Sequence, residues 1–432
     1  MIKKRLLNIF CALLTMSAMS ACQSDPLFDL PMVTLAKVQM SDGVAVQRTD
    51  VNRVDFLKIG DGKIKSHPLF TPDKEERIAR MTAGPMPVDP GTLFVFTSPV
   101  SERQTRIGPG VVAISPSTGE VTRYDTGSYF GQNAFDPEGR FMVLFHSDED
   151  MYATSGLFNP NEVALIDLKK APGPKNPEIV SVDLKGAVLN NISFLGNVDI
   201  DGKVFNLAAF ATNGRIKFLD LEQSPHASVT VKLKTDGDNR NITASSFVVR
   251  PATGLRSTTI FAMAQGVSEI FEMSMAATGD GFTVSNMNQQ DGGSNPGDMA
   301  VVNDDGNEIL VVTNARYNEV NFIDVATSDT MTQRLDDIVH RILQRKRNGK
   351  DELVLYGNDT SNIYFVDATR LGTRSKWSSA IERVSVPDGV STSWPLDNDR
   401  LLMFSSWGSS IMILDMKISE ITHLSSNGTY DW

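Results

Sequence analysis

Cysteine is almost missing from this chain: its 432 residues hold two, Cys11 and Cys22. That excludes a disulfide framework and any cysteine-rich metal cluster. Histidine is sparse too, and His67, His146, His226, His340 and His423 lie far apart with no pair at metal-ligand spacing. There is no Cys-x-x-Cys-His, Gly-x-Ser-x-Gly or His-Glu-x-x-His, and no phosphate loop of the Walker type. We therefore expect no metal and no cofactor, although a site built from one residue per repeat leaves no local trace. Positive charge is short: 41 Lys+Arg against 52 Asp+Glu give a formal charge of −11, which argues against nucleic acid as a partner. Helical periodicity is scarce, with Asp73–Met81 and Leu335–Gln344 the only stretches that would suit a helix. Beyond Cys22 no apolar run is long enough to cross a bilayer as a helix.

What the chain has in quantity is one repeated strand. Asn161-Glu162-Val163-Ala164-Leu165-Ile166-Asp167-Leu168 returns almost intact as Asn318-Glu319-Val320-Asn321-Phe322-Ile323-Asp324-Val325. Looser copies begin at Asn52, Pro109, Gly214, Ser268, Ser361 and Ser409, so that the eight copies are spaced by 57, 52, 53, 54, 50, 43 and 48 residues. This period suits four strands per unit rather than a helical pair. Both faces of the phrase are mostly uncharged, as expected of a strand packed on both sides.

A second apolar strand precedes most copies, for example Leu93–Thr97, Phe205–Phe210 and Leu401–Ser405, and a more polar strand follows, as at Ser228–Leu233. Turn signals separate them at Asp136-Pro-Glu-Gly139, Asp199-Ile-Asp-Gly202 and Asn303-Asp-Asp-Gly306. None continues into a calcium loop with its closing Glu, so they read as hairpin turns. The Asp at the seventh place of five copies (Asp167, Asp220, Asp324, Asp367 and Asp415) reads as a strand-ending residue whose carboxylate accepts from the following turn. Four-stranded units repeated radially make a β-propeller, so the expected fold class is all-β, a single propeller of eight blades over residues 33–426. Seven blades is the alternative, because the first copy is the weakest and an N-terminal strand can complete the last blade.

The N-terminus has the form of a secretion signal, with Lys3, Lys4 and Arg5 ahead of an apolar run from Leu6 to Met16. Met19-Ser20-Ala21-Cys22 resembles the lipobox of bacterial lipoproteins, with Met where Leu is usual. The resemblance implies removal of residues 1–21, palmitate-type acylation and a diacylglyceryl thioether at Cys22, a tether over 22–32, and a place on the bacterial cell envelope. Gln23, which is not Asp, implies the outer membrane. The cleaved chain keeps 38 Lys+Arg against 52 Asp+Glu, a formal charge of −14. A short tail over 427–432 closes it.

Residues 311–327, Val-Val-Thr-Asn-Ala-Arg-Tyr-Asn-Glu-Val-Asn-Phe-Ile-Asp-Val-Ala-Thr, resemble the YVTN-type propeller repeat, with partial matches at 354–369 and 402–416. The resemblance implies the fold and a frequent place on cell surfaces, and it brings no catalytic residues.

In a propeller the loops between second and third strands share one end with the links between blades. On that end the expected binding residues are Arg103, Arg106, the insertion with His146, Asp148, Glu149, Asp150 and Tyr152, then Arg316, Tyr317, Asp359, Trp394 and Trp407. Aromatic anchors mixed with arginine suit a protein or glycan partner. The expected function is a protein-binding scaffold in the envelope, docking another envelope protein or complex. Two alternatives stand: a lactonase-like or quinoprotein-dehydrogenase-like enzyme using His146, Asp148, Glu149, Asp150 and Asp359, or a carbohydrate-binding surface protein.

Overall fold

The computed structural model describes residues 37–423 apart from 41–42, 50, 61–62, 85–90, 101–108, 147–158, 160, 183–188, 190, 235–240, 253–255, 265, 305–306, 348, 396–398 and 406–409. The chain divides into two compact units, residues 33–265 with 269–290, and residues 266–268 with 291–432.

The first unit carries five antiparallel sheets, each of four strands that are consecutive in sequence. The first sheet is β1 (Lys37–Met40), β2 (Gly43–Arg48), β3 (Arg53–Gly60) and β4 (Lys63–Phe70). The second is β5 (Glu76–Ala83), β6 (Leu93–Pro99), β7 (Gly110–Ile114) and β8 (Val121–Asp125). The third is β9 (Gln132–Phe135), β10 (Phe141–Phe145), β11 (Glu162–Asp167) and β12 (Glu178–Ser181). The fourth is β13 (Asn191–Ile200), β14 (Lys203–Thr212), β15 (Arg215–Asp220) and β16 (Ser228–Lys232). The fifth is β17 (Ala244–Arg250), β18 (Thr259–Ala264), β19 (Glu269–Thr278) and β20 (Gly281–Asp291).

The second unit repeats the pattern three times. Its sheets are β21 (Pro296–Asp304), β22 (Asn307–Asn314), β23 (Glu319–Asp324) and β24 (Thr330–Arg334); β25 (Arg341–Arg347), β26 (Lys350–Tyr356), β27 (Thr360–Asp367) and β28 (Ile381–Val390); and β29 (Thr392–Pro395), β30 (Arg400–Ser405), β31 (Ser410–Asp415) and β32 (Glu420–His423). Eight such sheets are the blades of a β-propeller fold, and the chain is all-β. All four strands of the first sheet come from residues 37–70 and all four of the last from residues 392–423. Eight four-stranded blades is therefore the count among the described residues, and the four strands of the last one are β29 to β32.

All eight copies of the repeated phrase are third strands, and the period of the sequence is the period of the sheets. Second and third strands carry the core: β6, β10, β14, β18, β22 and β26 present runs of buried residues such as Phe94, Met142, Phe210, Phe261, Val311 and Val354. Each fully buried side chain of this size contributes about 1.5–3 kcal/mol, which is why the phrase is apolar on both faces. Successive sheets touch through their first strands, as β1 does with β5, β13 with β17, and β21 with β25.

The seventh-place aspartates are turn residues. Oδ1 of Asp324 accepts from the N–H groups of Ala326 at 2.8 Å and Thr327 at 3.1 Å, and Asp167, Asp220, Asp367 and Asp415 each accept from the N–H two residues on. We expect Asp324→Ala to cost about 1 kcal/mol and Asp324→Asn much less, read as a shift in denaturant midpoint, because asparagine keeps the acceptor. The Asp199–Gly202 signal is a two-residue hairpin: Asp201 and Gly202 both have positive φ, 52° and 81°, and Ile200 pairs with Lys203. Part of the Asn303–Gly306 signal lies outside the described residues.

Neither helix candidate is helical. Asp73–Met81 mostly becomes β5, because Glu76 is buried where it meets Arg123 at 2.8 Å and the Thr97 hydroxyl at 3.0 Å. Leu335–Gln344 is a link followed by β25. In both, pairing with a neighbouring strand overrides a local preference. Among the described residues the helical turns are short 3-10 segments, Ala368–Arg370 and Arg374–Ala380; the second seats the buried Trp377 against Phe322, ring centroids 5.8 Å apart.

Candidate functional site

The site that the described residues build best lies in the second unit, on the end carrying the loops between second and third strands. Its foundation is the polar half of the repeat motif. The register between β21 and β22 slips between Pro296 and Met299, and the Thr313 hydroxyl bonds the freed backbone, accepting from the Asp298 N–H at 3.0 Å and donating to its carbonyl at 3.3 Å. Asn314, 1% exposed, then holds the loop: its Oδ1 accepts from the N–H groups of Arg316 at 2.9 Å and Tyr317 at 3.0 Å. Asn318 donates to the Leu335 carbonyl at 2.6 Å, and Asn321 to the Gly292 carbonyl at 2.9 Å. The motif's polar residues are thus consumed in building the blade. What they display is Arg316 and Tyr317, the latter 52% exposed.

Two glycines let three segments close together here. A Cβ on Gly297 would stand 3.3 Å from both the Ala315 nitrogen and the His340 Cα, so the loop over 314–318 and His340 meet across it. A Cβ on Gly357 would stand 2.7 Å from the Ile338 carbonyl oxygen and 3.2 Å from His340 Nδ1. His340 therefore occupies a slot that only glycine leaves open. Its backbone N–H donates to the Tyr356 carbonyl at 3.2 Å, and Arg341 pairs across the ladder with Tyr356. Asp337 clamps the same link: Oδ1 accepts from the Ser361 N–H at 3.0 Å, and Oδ2 from the Asn362 side chain and the Tyr364 hydroxyl. Burial, with the Asp337 charge beside it, pushes the Tyr364 hydroxyl up to about 12.

Asp298 ties the first strands of two sheets, its Oδ1 accepting from the Met299 N–H and its Oδ2 from the Ile342 N–H, both at 2.9 Å. Burial pushes its carboxyl above the ordinary value, while those bonds and the charges of Arg341 and His340 oppose the rise. With both oxygens engaged by backbone, Asp298 is a brace more than a free base. Burial also lowers the His340 imidazole from 6.5, Arg341 lowers it further, and Asp298 opposes them.

A depressed histidine value means that the unfolded chain takes up the proton more readily. The His340 contribution to stability is therefore complete above about pH 6.5 and is lost as pH falls below it. His340→Gln should lose less stability than the parent between about pH 7.5 and about pH 5, measured as the change in denaturant midpoint.

Around this slot the surface is exposed and mixed: Tyr317, Ile338 (41% exposed), Arg316, Arg341 and Asp359. Asp359 sits in the loop before β27 with φ 55°. Of the residues expected from sequence, Arg316 and Tyr317 stand in the loop that meets His340 across Gly297, and Asp359 lies two residues after Gly357. The structure places His146 in the first unit, buried at 3% exposure and stacked on Phe130 with ring centroids 4.6 Å apart. Buried there, its ring packs within the unit and offers a partner no exposed face. Trp394 lies in β29, opposite Leu402. Cys22, Arg103, Arg106, Asp148, Glu149, Asp150, Tyr152 and Trp407 lie outside the described residues. Reasoning from sequence missed Ile338, His340, Arg341 and Asp298; His340 had counted only as one of five scattered histidines.

Among the described residues no group of three or more His, Cys, Asp or Glu side chains could hold a metal ion. One cavity of about 270 Å³ opens in the first unit beside Phe94, Ser115, Glu120, Thr122, Tyr124 and Leu168.

No family model matches this chain, and no curated protein does. Among solved structures it is similar to a dihydro-heme d1 dehydrogenase, at 14% identity over 74% of this chain and 62% of that one, with a TM-score of 0.45. It is also similar to the WD40 domain of SCAP from fission yeast, at 10% identity over 84% and 90% with a TM-score of 0.43. A third is a putative 6-phosphogluconolactonase from Bacteroides fragilis, at 15% identity over 78% and 94% with a TM-score of 0.39. The chain spans less than two thirds of the dehydrogenase. At these scores the likenesses, across enzymes and a WD40 domain, carry no argument, and the assignment to the all-β propeller class rests on the eight sheets.

Proposed function

We propose that this protein is an envelope lipoprotein whose propeller is a docking scaffold, with the second unit's loop-bearing end as its contact surface. The observation that carries this reading is the exposed set Tyr317, Ile338, Arg316 and Arg341, held by an Asn314-braced loop and a glycine slot. A rigid aromatic anchor beside arginine guanidinium groups is the composition of a protein-contact hot spot, since it buries large area at small entropic cost. The partner is another envelope protein or complex. The neutral imidazole of His340 accepts or donates one hydrogen bond at the centre of this surface, and Arg341 supplies a fork for a carboxylate.

Attachment rests on Cys22 and on the resemblance of residues 19–22 to a lipobox. Acylation at two sites or more gives stable anchoring, where one chain is marginal. Cys22→Ser should move the protein from the membrane fraction to the soluble one; retention in the membrane would remove the anchor from this account. Docking is tested separately, by capture of a partner that depends on Arg316 and Tyr317.

A further inference from the structure

β20 is an unusual edge. It is the fourth strand of its sheet, bonded on one side to β19, and with eleven residues it is the longest of the eight fourth strands. Five of the others have only four or five residues. The remaining long ones are blunted in the usual ways: β4 carries Lys65 and Pro68, and β28 carries Glu382, Arg383 and Pro387. From Gly281 to Gln290, β20 has no charge and no proline. Ser285, Asn286, Met287 and Asn288 are all exposed, Met287 to 38%. Among the described residues, four consecutive exposed positions leave both faces of the strand open, and no further strand pairs with its outer edge.

The strand is also held ready. Phe282 is buried against Phe205, with ring centroids 5.1 Å apart, and the Gln289 side chain donates to the Lys234 carbonyl at 2.9 Å. Both ends are fixed to the fourth sheet and its outgoing link. The Ser285 hydroxyl turns inward to the Ser274 carbonyl, at 3.1 Å.

We propose that β20 is the contact between two copies of this chain, paired antiparallel about a two-fold axis at Met287. An isologous contact sets every residue against the same surface of its copy, so charged strands repel and self-complementary ones attract. Carboxamides are both donors and acceptors. With the axis at Met287, Asn286 of one copy faces Asn288 of the other, twice, on one face of the new sheet, and the two Met287 side chains meet on the other. Asn286 Nδ2 already lies 3.4 Å from Asn288 Oδ1 within the chain. The chain as a whole carries a formal charge of −11. A ten-residue uncharged strip is where two such molecules approach with least repulsion.

The test is the mass of the full, detergent-solubilised protein by light scattering, together with a thiol placed on the axis. Directly opposed residues of an antiparallel pair lie about 4.5–5.5 Å apart at Cα, within disulfide reach. Met287→Cys should give a disulfide-linked pair under mild oxidation, while Thr230→Cys, on the exposed side of β16, should not. Asn286→Lys with Asn288→Lys should return a single-chain mass without lowering the unfolding temperature, since both positions are exposed. A single-chain mass for the parent at every concentration would overturn the proposal, as would Met287→Cys linking no faster than Thr230→Cys. Linkage of Met287→Cys to a different protein would overturn it as well, giving the edge to a foreign strand.

Discussion

Arg345→Ala should lower the unfolding free energy by about 3–5 kcal/mol, the largest single effect that we expect on stability. The Arg345 side chain is wholly buried in the second unit. Its guanidinium donates from Nε to Glu352 Oε2 at 2.8 Å, from Nη2 to the same carboxylate and to the Met416 carbonyl, and from Nη1 to Asp399 at 3.4 Å. It also stands 5.8 Å from the centre of the Phe365 ring. Removing it leaves the Glu352 carboxylate, itself 9% exposed, with the longer contact to Arg347 at 3.4 Å as its one remaining ion pair among the described residues. The penalty comes from the stranded charge more than from the lost attraction. Arg345→Met combined with Glu352→Leu should therefore recover most of the loss, because neither charge then remains to be desolvated. Denaturant midpoints of the parent and the two variants decide this; equal losses in both variants would mean that packing, and not charge, is responsible.

Arg316→Ala with Tyr317→Ala should weaken partner binding by about 30-fold or more, equivalent to roughly 2 kcal/mol. Tyr317 is half exposed with its backbone fixed, so it reaches a partner without first being ordered. Arg316 is presented by the same Asn314 carboxamide. The folded state should hardly notice, because the hydrogen bonds that shape the loop run to backbone N–H groups that alanine keeps. A drop in unfolding temperature would show that these side chains hold the blade together instead.

Most of the architecture was legible because it repeats. A strand buried on both faces must be apolar throughout, so Val163-Ala-Leu-Ile166 and Val320-Asn-Phe-Ile323 announce themselves, and the aspartate that ends each one marks its turn. Blade count followed from eight copies, and the first sheet, whose phrase is weakest, proved complete within residues 37–70. The two false helices show where the reading fails. Asp73–Met81 loses its helical reading once β8 brings Arg123 to the buried Glu76, and Leu335–Gln344 loses its own once Arg341 pairs with Tyr356. The site was half legible. Arg316 and Tyr317 stand between motif residues and could be found by subtraction, whereas Ile338, His340 and Asp298 come together only through Gly297 and Gly357, whose part is set by distances no spacing encodes.

The most direct test of the docking surface is capture of partners by the tagged protein from detergent-solubilised membranes, comparing three forms. The parent is set beside Arg316→Ala/Tyr317→Ala and beside Lys350→Ala, a change at the exposed hairpin on the opposite end of the second unit. A partner recovered with the parent and with Lys350→Ala, but lost with the double variant, is the result expected. Recovery of that same partner with the double variant would contradict it.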